Sequence, residues 1–422
     1  MVMPSMRKRS FNFRRSLRAF AGREIPRLNR HLVALCYGGR VNGKSKLGAQ
    51  ASVLIIRGDG GIGDFLLFLP SLKVLRRHYA GSKVSLLVGS ESAGLASAFA
   101  DVDEVISFDV RRYRLDLAYR IRLIQGLRNR QFDLGVNPIY SREPSTDELL
   151  YCSSAKERIA FDGNLDNIDA RTKAANNPYC TRIVPSHAGI ITEVERNRQF
   201  VEQLTGRKMS LEESLPRITL SDTQMKEARQ LLLSEGVDPE VEQLVVLFPG
   251  ASNAIKMWPA ERFAVLANRI AETYKVHILI CGAHSDRATQ EAVASRVSAP
   301  VARLAGKTDL LQLAAILKHS GLYIGNDTGP LHLAAAVGTP TLCILGGGQF
   351  GRFYPYGDLT RHRMIFQKMD CYQCNYHCVY DTVRCVQEIS CDDVWREAQR
   401  MMQEVVLPAG ESRFGERARS RE

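Results

Sequence analysis

The sequence lacks any apolar run long enough to cross a membrane. A spanning helix needs about 20 consecutive apolar residues, and no stretch of the 422 residues approaches that length. The N-terminal positive charges are not followed by an apolar core segment, so we expect no secretory signal peptide. The sequence therefore predicts a protein of a reducing compartment, in which its ten cysteines do not form disulfides.

Acidic residues are almost absent from an N-terminal arm, residues 1–50. Glu24 is its one acidic residue, and the arm contains nine arginines and three lysines. The rest of the chain holds 45 basic and 44 acidic residues, so the arm supplies +11 of the net charge of +12. Since the positive and negative charges of residues 51–422 nearly cancel, we expect no nucleic-acid partner. Phenylalanine and leucine alternate with arginine in the arm, which predicts either a segment on an anionic membrane surface or a disordered extension. A transit peptide is a third interpretation.

Apolar strands alternate with helices from residue 51 onward, which predicts an α/β protein with parallel sheets covered on both faces. The predicted domains are 51–215 and 216–406, each Rossmann-like, followed by a disordered tail at 407–422. Residues 140–185 are polar and are predicted to form long loops. The predicted strands are 53–57, 83–89, 104–109, 132–137, 244–250, 276–282, 322–327 and 340–346.

The first glycine-rich turn joins a strand to a helix, and its spacing at 58, 60 and 63 is that of a dinucleotide-binding loop. Asp64 follows directly, and its charge would repel a pyrophosphate at that helix N-terminus. Gly60, Gly61 and Gly63 would instead permit a close approach, with Asp64 as a base. A simple helix cap is the alternative role for this aspartate.

A second turn, "FPGASNAIKMWPAERF" at 248–263, places a hydroxyl and a positive charge after a strand. Ser252 and Lys256 suit a phosphate leaving group, because both stabilise negative charge. A solvated lysine in an ordinary loop is the alternative.

A third turn, "GNDTGPLHLAAAVGTP" at 325–340, opens a short helix rich in small residues. Asp327, Thr328 and Gly329 lie at its start, where backbone N–H groups and the helix dipole favour an anion. His332 lies in the first turn and can reach the same anion, although a buried core histidine is the alternative role.

These segments together resemble glycosyltransferase family 9, which includes the ADP-heptose:lipopolysaccharide heptosyltransferases. The resemblance extends from about Val53 to Val405 and rests on four ordered motifs: "RGDGGIGDFLLFLPSLKVLRR", "PGASNAIKMWP", "GNDTGPLHLAAAVGTPTLCILG", and "FYPYG" with the later cysteines. It implies a GT-B fold, two Rossmann-like domains with parallel sheets facing a central cleft. The acceptor would lie mainly in the first domain and the nucleotide-sugar in the second.

The resemblance also implies the chemistry. Asp64 corresponds to the family's proposed base, and the phosphate contacts correspond to Ser252, Lys256 and the turn 327–329, with His332 nearby. Where some members have two hydroxyl residues, this chain has Ala251 and Ser252. The family's ribose-binding carboxylate falls near 284–286. The expected reaction is inverting and metal-independent, with ADP-heptose as donor and a lipopolysaccharide core or lipid-linked acceptor, at the cytoplasmic face of a bacterial inner membrane.

Four closely spaced cysteines follow the last motif, and four thiolates suit structural zinc. Buried thiols that shape the segment are the alternative. Two other functions stay open from the sequence: a nicotinamide-dependent oxidoreductase and a non-catalytic protein that binds membrane surfaces through the arm. The cysteines of the zinc prediction are Cys371, Cys374, Cys378 and Cys385.

Overall fold

A computed structural model describes residues 51–58, 61–187, 189–190 and 192–407. The predictions for the N-terminal arm, for Gly60 and for the tail beyond residue 407 lie outside the described residues. None of the described helices is both long enough and apolar enough to span a bilayer.

The described chain forms two compact units, and each is discontinuous in sequence. The first comprises 51–58, 76–93 and 101–186, and the second comprises 61–75, 94–100 and 187–407. Residues 61–75 and 94–100 thus belong to the second unit although they are flanked by the first. The domain boundaries expected from the sequence stay a prediction.

Each unit contains one six-stranded sheet, and the strand pairs in both sheets are parallel. The strands, in chain order, are Ser52–Arg57 (β1), Lys83–Gly89 (β2), Glu104–Phe108 (β3), Leu134–Asn137 (β4), Glu157–Phe161 (β5), Arg182–Val184 (β6), Gln243–Phe248 (β7), Val276–Ile280 (β8), Val301–Arg303 (β9), Leu322–Asn326 (β10), Thr341–Ile344 (β11) and His362–Ile365 (β12).

The first sheet has the order β3-β2-β1-β4-β5-β6, and the second has β12-β11-β10-β7-β8-β9. Both orders are that of the Rossmann fold, with the connectivity reversing beside the first strand. The central strands are apolar because helices cover both faces, and β1 and β7 are buried almost throughout. The predicted α/β class with two Rossmann-like sheets is therefore confirmed.

Most of the helices lie between successive strands, and the last two follow β12. In chain order they are Ile62–His78 (α1), Ala93–Phe99 (α2), Val110–Leu115 (α3), Leu117–Asn129 (α4), Pro144–Cys152 (α5), Ala170–Asn176 (α6), Glu193–Thr205 (α7), Asp222–Ser234 (α8), Ala260–Thr273 (α9), Arg287–Ala294 (α10), Leu310–His319 (α11), Gly329–Val337 (α12), Arg384–Gln387 (α13) and Cys391–Met401 (α14).

The prediction of long loops at 140–185 is wrong, since this stretch contains α5, β5, α6 and β6. Buried polar side chains pair with one another here, and such residues leave no periodic apolar pattern in the sequence. The guanidinium of Arg142 donates to both carboxylate oxygens of Asp147 at 3.0 and 2.8 Å, and both side chains are fully buried. The amides of Asn137 and Asn176 donate to the same carboxylate. A buried charge is tolerated here because its partners satisfy it.

Candidate functional site

The predicted residues of two turns lie at the point of the second sheet where its connectivity reverses. Strands β7 and β10 are neighbours there, and ligands of open α/β sheets bind beyond the carboxyl ends of such strands. The segment after β7 carries Ser252 and Lys256, and the turn after β10 carries Asp327 and Thr328. The structure thus places these four predicted residues on adjacent loops.

Asn326 holds the two loops together. Its side-chain oxygen accepts the backbone N–H of Trp258 at 3.0 Å, and its amide nitrogen donates to the carbonyl of Pro249 at 2.8 Å. The side chain is fully buried. No local sequence pattern indicates this role, because the two partners lie 68 and 77 residues away along the chain.

Lys256 and Asp327 form an ion pair across the two loops. The ammonium lies 3.4 Å from the carboxylate and 3.2 Å from the backbone carbonyl of Asp327. Burial alone would lower the pKa of Lys256, but the charge of Asp327 and the contact with Tyr376 outweigh burial, so this pKa is raised. Lys256 therefore stays positive at neutral pH, with its charge paired to the Asp327 carboxylate, and its role at a phosphate site stays a prediction.

His332 is buried beside this pair, with Nε2 4.0 Å from the Asp327 carboxylate. Burial lowers its pKa to about 4, so the imidazole is neutral at pH 7. Its Nδ1 lies 3.1 Å from the hydroxyl of Tyr356, and the two rings stack. Tyr356 belongs to the "FYPYG" segment, in which sequence reasoning assigned no site residue.

The N-termini of α1 and α12 meet inside the second unit, and glycines make this approach possible. A Cβ on Gly329 would lie 2.9 Å from Cβ of Ile62, and one on Gly63 would lie 2.6 Å from the ring of His332. A Cβ on Gly61 would meet nothing within 4 Å. The first turn of α1, which contains Asp64, therefore lies against the start of α12, and the positive ends of two helix dipoles converge.

Two of the predicted phosphate contacts are hydroxyl groups, one in the turn after β7 and one at the start of α12. Ser252 is exposed in the turn after β7. Thr328 is the N-cap residue of α12, and its side chain makes no capping bond to that helix. Its hydroxyl donates to the carbonyl of Asn326 at 3.4 Å, which is near the limit for a hydrogen bond.

A further carboxylate packs on the turn after β7. A Cβ on Gly250 would lie 2.3 Å from the Asp286 carboxyl carbon, and that carboxylate accepts the backbone N–H of Ala283 at 2.8 Å. Asp286 falls within the stretch 284–286 to which the family resemblance assigns a ribose-binding carboxylate.

The four cysteines of the zinc prediction line a single pocket, together with Lys256, Asp327 and Tyr376. Burial raises the pKa of Cys385, and the neighbouring thiols add to this effect. Among the described residues, no group of three or more histidine, cysteine or carboxylate side chains is arranged to hold a metal ion. The thiols are thus neighbours without the geometry of a metal site, and zinc stays a prediction.

The chain is similar to known proteins both in sequence and in fold. Residues 120–381 match the family model for glycosyltransferase family 9 (heptosyltransferase). Lipopolysaccharide heptosyltransferase 3 of Escherichia coli K12 is 25% identical over 293 residues, which cover 67% of this chain and 79% of that protein. The crystal structure of a family 9 glycosyl transferase from Veillonella parvula DSM 2008 has a TM-score of 0.72 at 19% identity, covering 86% of this chain and 100% of that chain. E. coli heptosyltransferase WaaC, solved with ADP-2-deoxy-2-fluoro heptose, has a TM-score of 0.55 at 20% identity, covering 77% and 97%.

Proposed function

The chain belongs to glycosyltransferase family 9, and from this membership we propose that it transfers a heptose from ADP-heptose to a lipopolysaccharide-core or related cell-envelope acceptor. The predicted enzyme class, a glycosyltransferase, and the predicted GT-B type of α/β fold are both confirmed. The proposed donor and acceptor follow those named for the relatives, namely lipopolysaccharide for the E. coli protein and an ADP-heptose analogue for WaaC.

One observation supports this function above the others: two helix N-termini converge beside a partly buried lysine. The starts of α1 and α12 offer backbone N–H groups and positive dipole ends, and Lys256 adds a full charge. A diphosphate bound there would compete with Asp327 for the Lys256 ammonium, while the helix N-termini supply the remaining positive potential.

In the proposed mechanism, Asp64 accepts the proton of the acceptor hydroxyl. The hydroxyl oxygen of the acceptor attacks the anomeric carbon of the sugar at the same time. The bond from that carbon to the diphosphate breaks, and ADP leaves with the bonding electrons. Lys256, Ser252 and the start of α12 stabilise the charge that develops on the leaving group, so catalysis needs no metal ion. Attack from the face opposite the diphosphate inverts the anomeric configuration.

His332 contributes shape and polarity in this mechanism, and it carries no charge. A neutral imidazole beside the diphosphate neither repels nor neutralises it, so the positive charge of the site comes from Lys256 and the helix N-termini. The contact between His332 and Gly63 fixes the distance from the phosphate cradle to the helix that carries Asp64.

A panel of nucleotides tests the donor class. We expect ADP to stabilise the full-length protein against thermal unfolding more than UDP, GDP, CDP or NADH do. Stabilisation by a different nucleoside diphosphate would contradict ADP-heptose as donor. A response to NADH alone would contradict the transferase assignment and favour the nicotinamide-dependent alternative, which family membership does not support.

Replacing Asp64 by asparagine tests the base. We expect Asp64→Asn to lower turnover about 10²- to 10⁴-fold, the usual contribution of a general base, and to leave the Kd for ADP within about twofold. Asp222→Asn is the matched control, because it removes a carboxylate from the first turn of α8. Wild-type turnover in Asp64→Asn would contradict this role.

The zinc prediction has a direct test. Elemental analysis of protein purified without added zinc would show one zinc per chain if the four thiols of the cavity bind it. A stoichiometry near zero would leave the cysteines as neighbouring thiols, of which Cys378 is exposed and the other three are half-buried.

A further inference from the structure

The loop that contains three of the cysteines packs against the donor-site lysine. We call residues 371–378 the cysteine loop. Its backbone N–H groups at Gln373 and Asn375 donate to the carbonyls of Gly347 and Gly348, each at 2.8 Å. These glycines follow β11, so the loop is attached to the carboxyl end of the second sheet, where the phosphate site also lies.

Three residues of the cysteine loop have left-handed backbone conformations, although none of them is glycine. The φ angles are 63° at Gln373, 46° at Asn375 and 64° at Tyr376. Such conformations cost roughly 1 kcal/mol each and persist only where their surroundings enforce them. For a bulky aromatic residue this is unusual, and it indicates that the direction of the Tyr376 side chain matters.

The strained conformation directs the ring of Tyr376 onto Lys256. The ammonium of Lys256 lies 5.0 Å from the ring centroid, within the range of a cation–π interaction. The Tyr376 hydroxyl donates to the side chain of Gln349 at 3.2 Å, and the amide of Gln349 donates to the side chain of Asn375. A Cβ on Gly348 would lie 2.3 Å from the same ring, so only glycine leaves room for it.

We propose that Tyr376 is a positioning residue that holds the Lys256 ammonium at the diphosphate site, an inference that rests on the proposed function. Lys256 contacts Asp327 and the ring of Tyr376, and these two groups limit the rotamers of a flexible four-carbon chain. A lysine that is already ordered loses less conformational entropy when the diphosphate arrives. The cysteine loop is thus part of the donor site through Tyr376.

The test compares three variants of the full chain by calorimetric titration with ADP. We expect Tyr376→Leu to weaken ADP binding about 3- to 30-fold, the range of a partly desolvated cation–π contact. Tyr376→Phe keeps the aromatic face and should bind ADP within about twofold of wild type. Tyr380→Leu is the control, because Tyr380 lines the same cavity but its ring lies against Arg384.

A purely structural role for Tyr376 would make the phenylalanine and leucine variants differ in melting temperature but not in ADP affinity. If Tyr376→Leu does not fold, Gly348→Ala serves instead, since its methyl group displaces the ring without deleting it. If Tyr376→Leu, or Gly348→Ala in its place, binds ADP as tightly as wild type does, the inference is overturned and the proposed function is not. Failure of the wild-type protein to bind ADP would overturn the proposed function as well.

Discussion

Burial decides the protonation state of His332, and this makes the stability of the second unit depend on pH. The pKa of His332 is about 4 in the folded protein and about 6.5 in an unfolded chain. Because the folded value is depressed, the unfolded state binds more protons as the solution is acidified. The contribution to stability is therefore complete above pH 6.5 and is lost as the pH falls from 6.5 towards 4.

We expect His332 to lower the free energy of unfolding by about 2 kcal/mol between pH 7.5 and pH 5, from this pKa difference. Urea unfolding followed by tryptophan fluorescence measures this, since Trp258 and Trp395 are the two tryptophans of the chain and both lie in the second unit. His332→Gln should lose correspondingly less stability over the same interval. An equal loss in both proteins would show that His332 does not titrate as described.

Gly61 and Gly63 lie two positions apart at the start of α1, but they differ in whether they can accept a side chain. Gly63→Ala would place a methyl group against the ring of His332, whereas Gly61→Ala would enter open space. We expect Gly63→Ala to cost about 1–3 kcal/mol of stability, the usual range for overpacking, and to weaken ADP binding. Gly61→Ala should change stability by less than about 0.5 kcal/mol. Chemical denaturation of both variants measures this, and equal effects would contradict the close approach of α1 and α12.

Local sequence patterns were sufficient for the turns but not for the contacts between them. The helix start at Gly329 follows from cap-type residues and Pro330, so its capacity to bind an anion could be predicted. The bonds of Asn326, Tyr356 and Tyr376 join residues that are distant in sequence, and no local pattern indicates them. Strands β5 and β6 were missed because they are short, with five and three residues, and lie in a stretch rich in polar residues.

At the scale of the whole molecule, the charge is concentrated in the N-terminal arm, and we propose that the arm holds the enzyme at the cytoplasmic face of the inner membrane. Deleting residues 1–50 removes almost all of the net charge of +12. We expect the truncated protein to lose binding to vesicles that contain anionic lipid, because each basic residue contributes about 1 kcal/mol near such a surface. Turnover of a water-soluble acceptor analogue should stay within about twofold, which tests whether the arm only tethers the enzyme.

Equal vesicle binding with and without the arm would contradict this localisation mechanism. Loss of both vesicle binding and turnover would instead show that the arm does more than tether the enzyme. Vesicles of neutral lipid provide the control for non-specific adsorption.

The discontinuous composition of the two units has a consequence for recombining family members. A chimera joined near residue 187 would take Gly63 and Asp64 from one parent and His332 and Lys256 from the other, although all four belong to the second unit. A parent with a larger residue in place of Gly63 would then place a side chain against the imidazole of the other. Exchanging the second unit between relatives therefore requires transplanting 61–75 and 94–100 together with 187–407, as three segments rather than as one half of the gene.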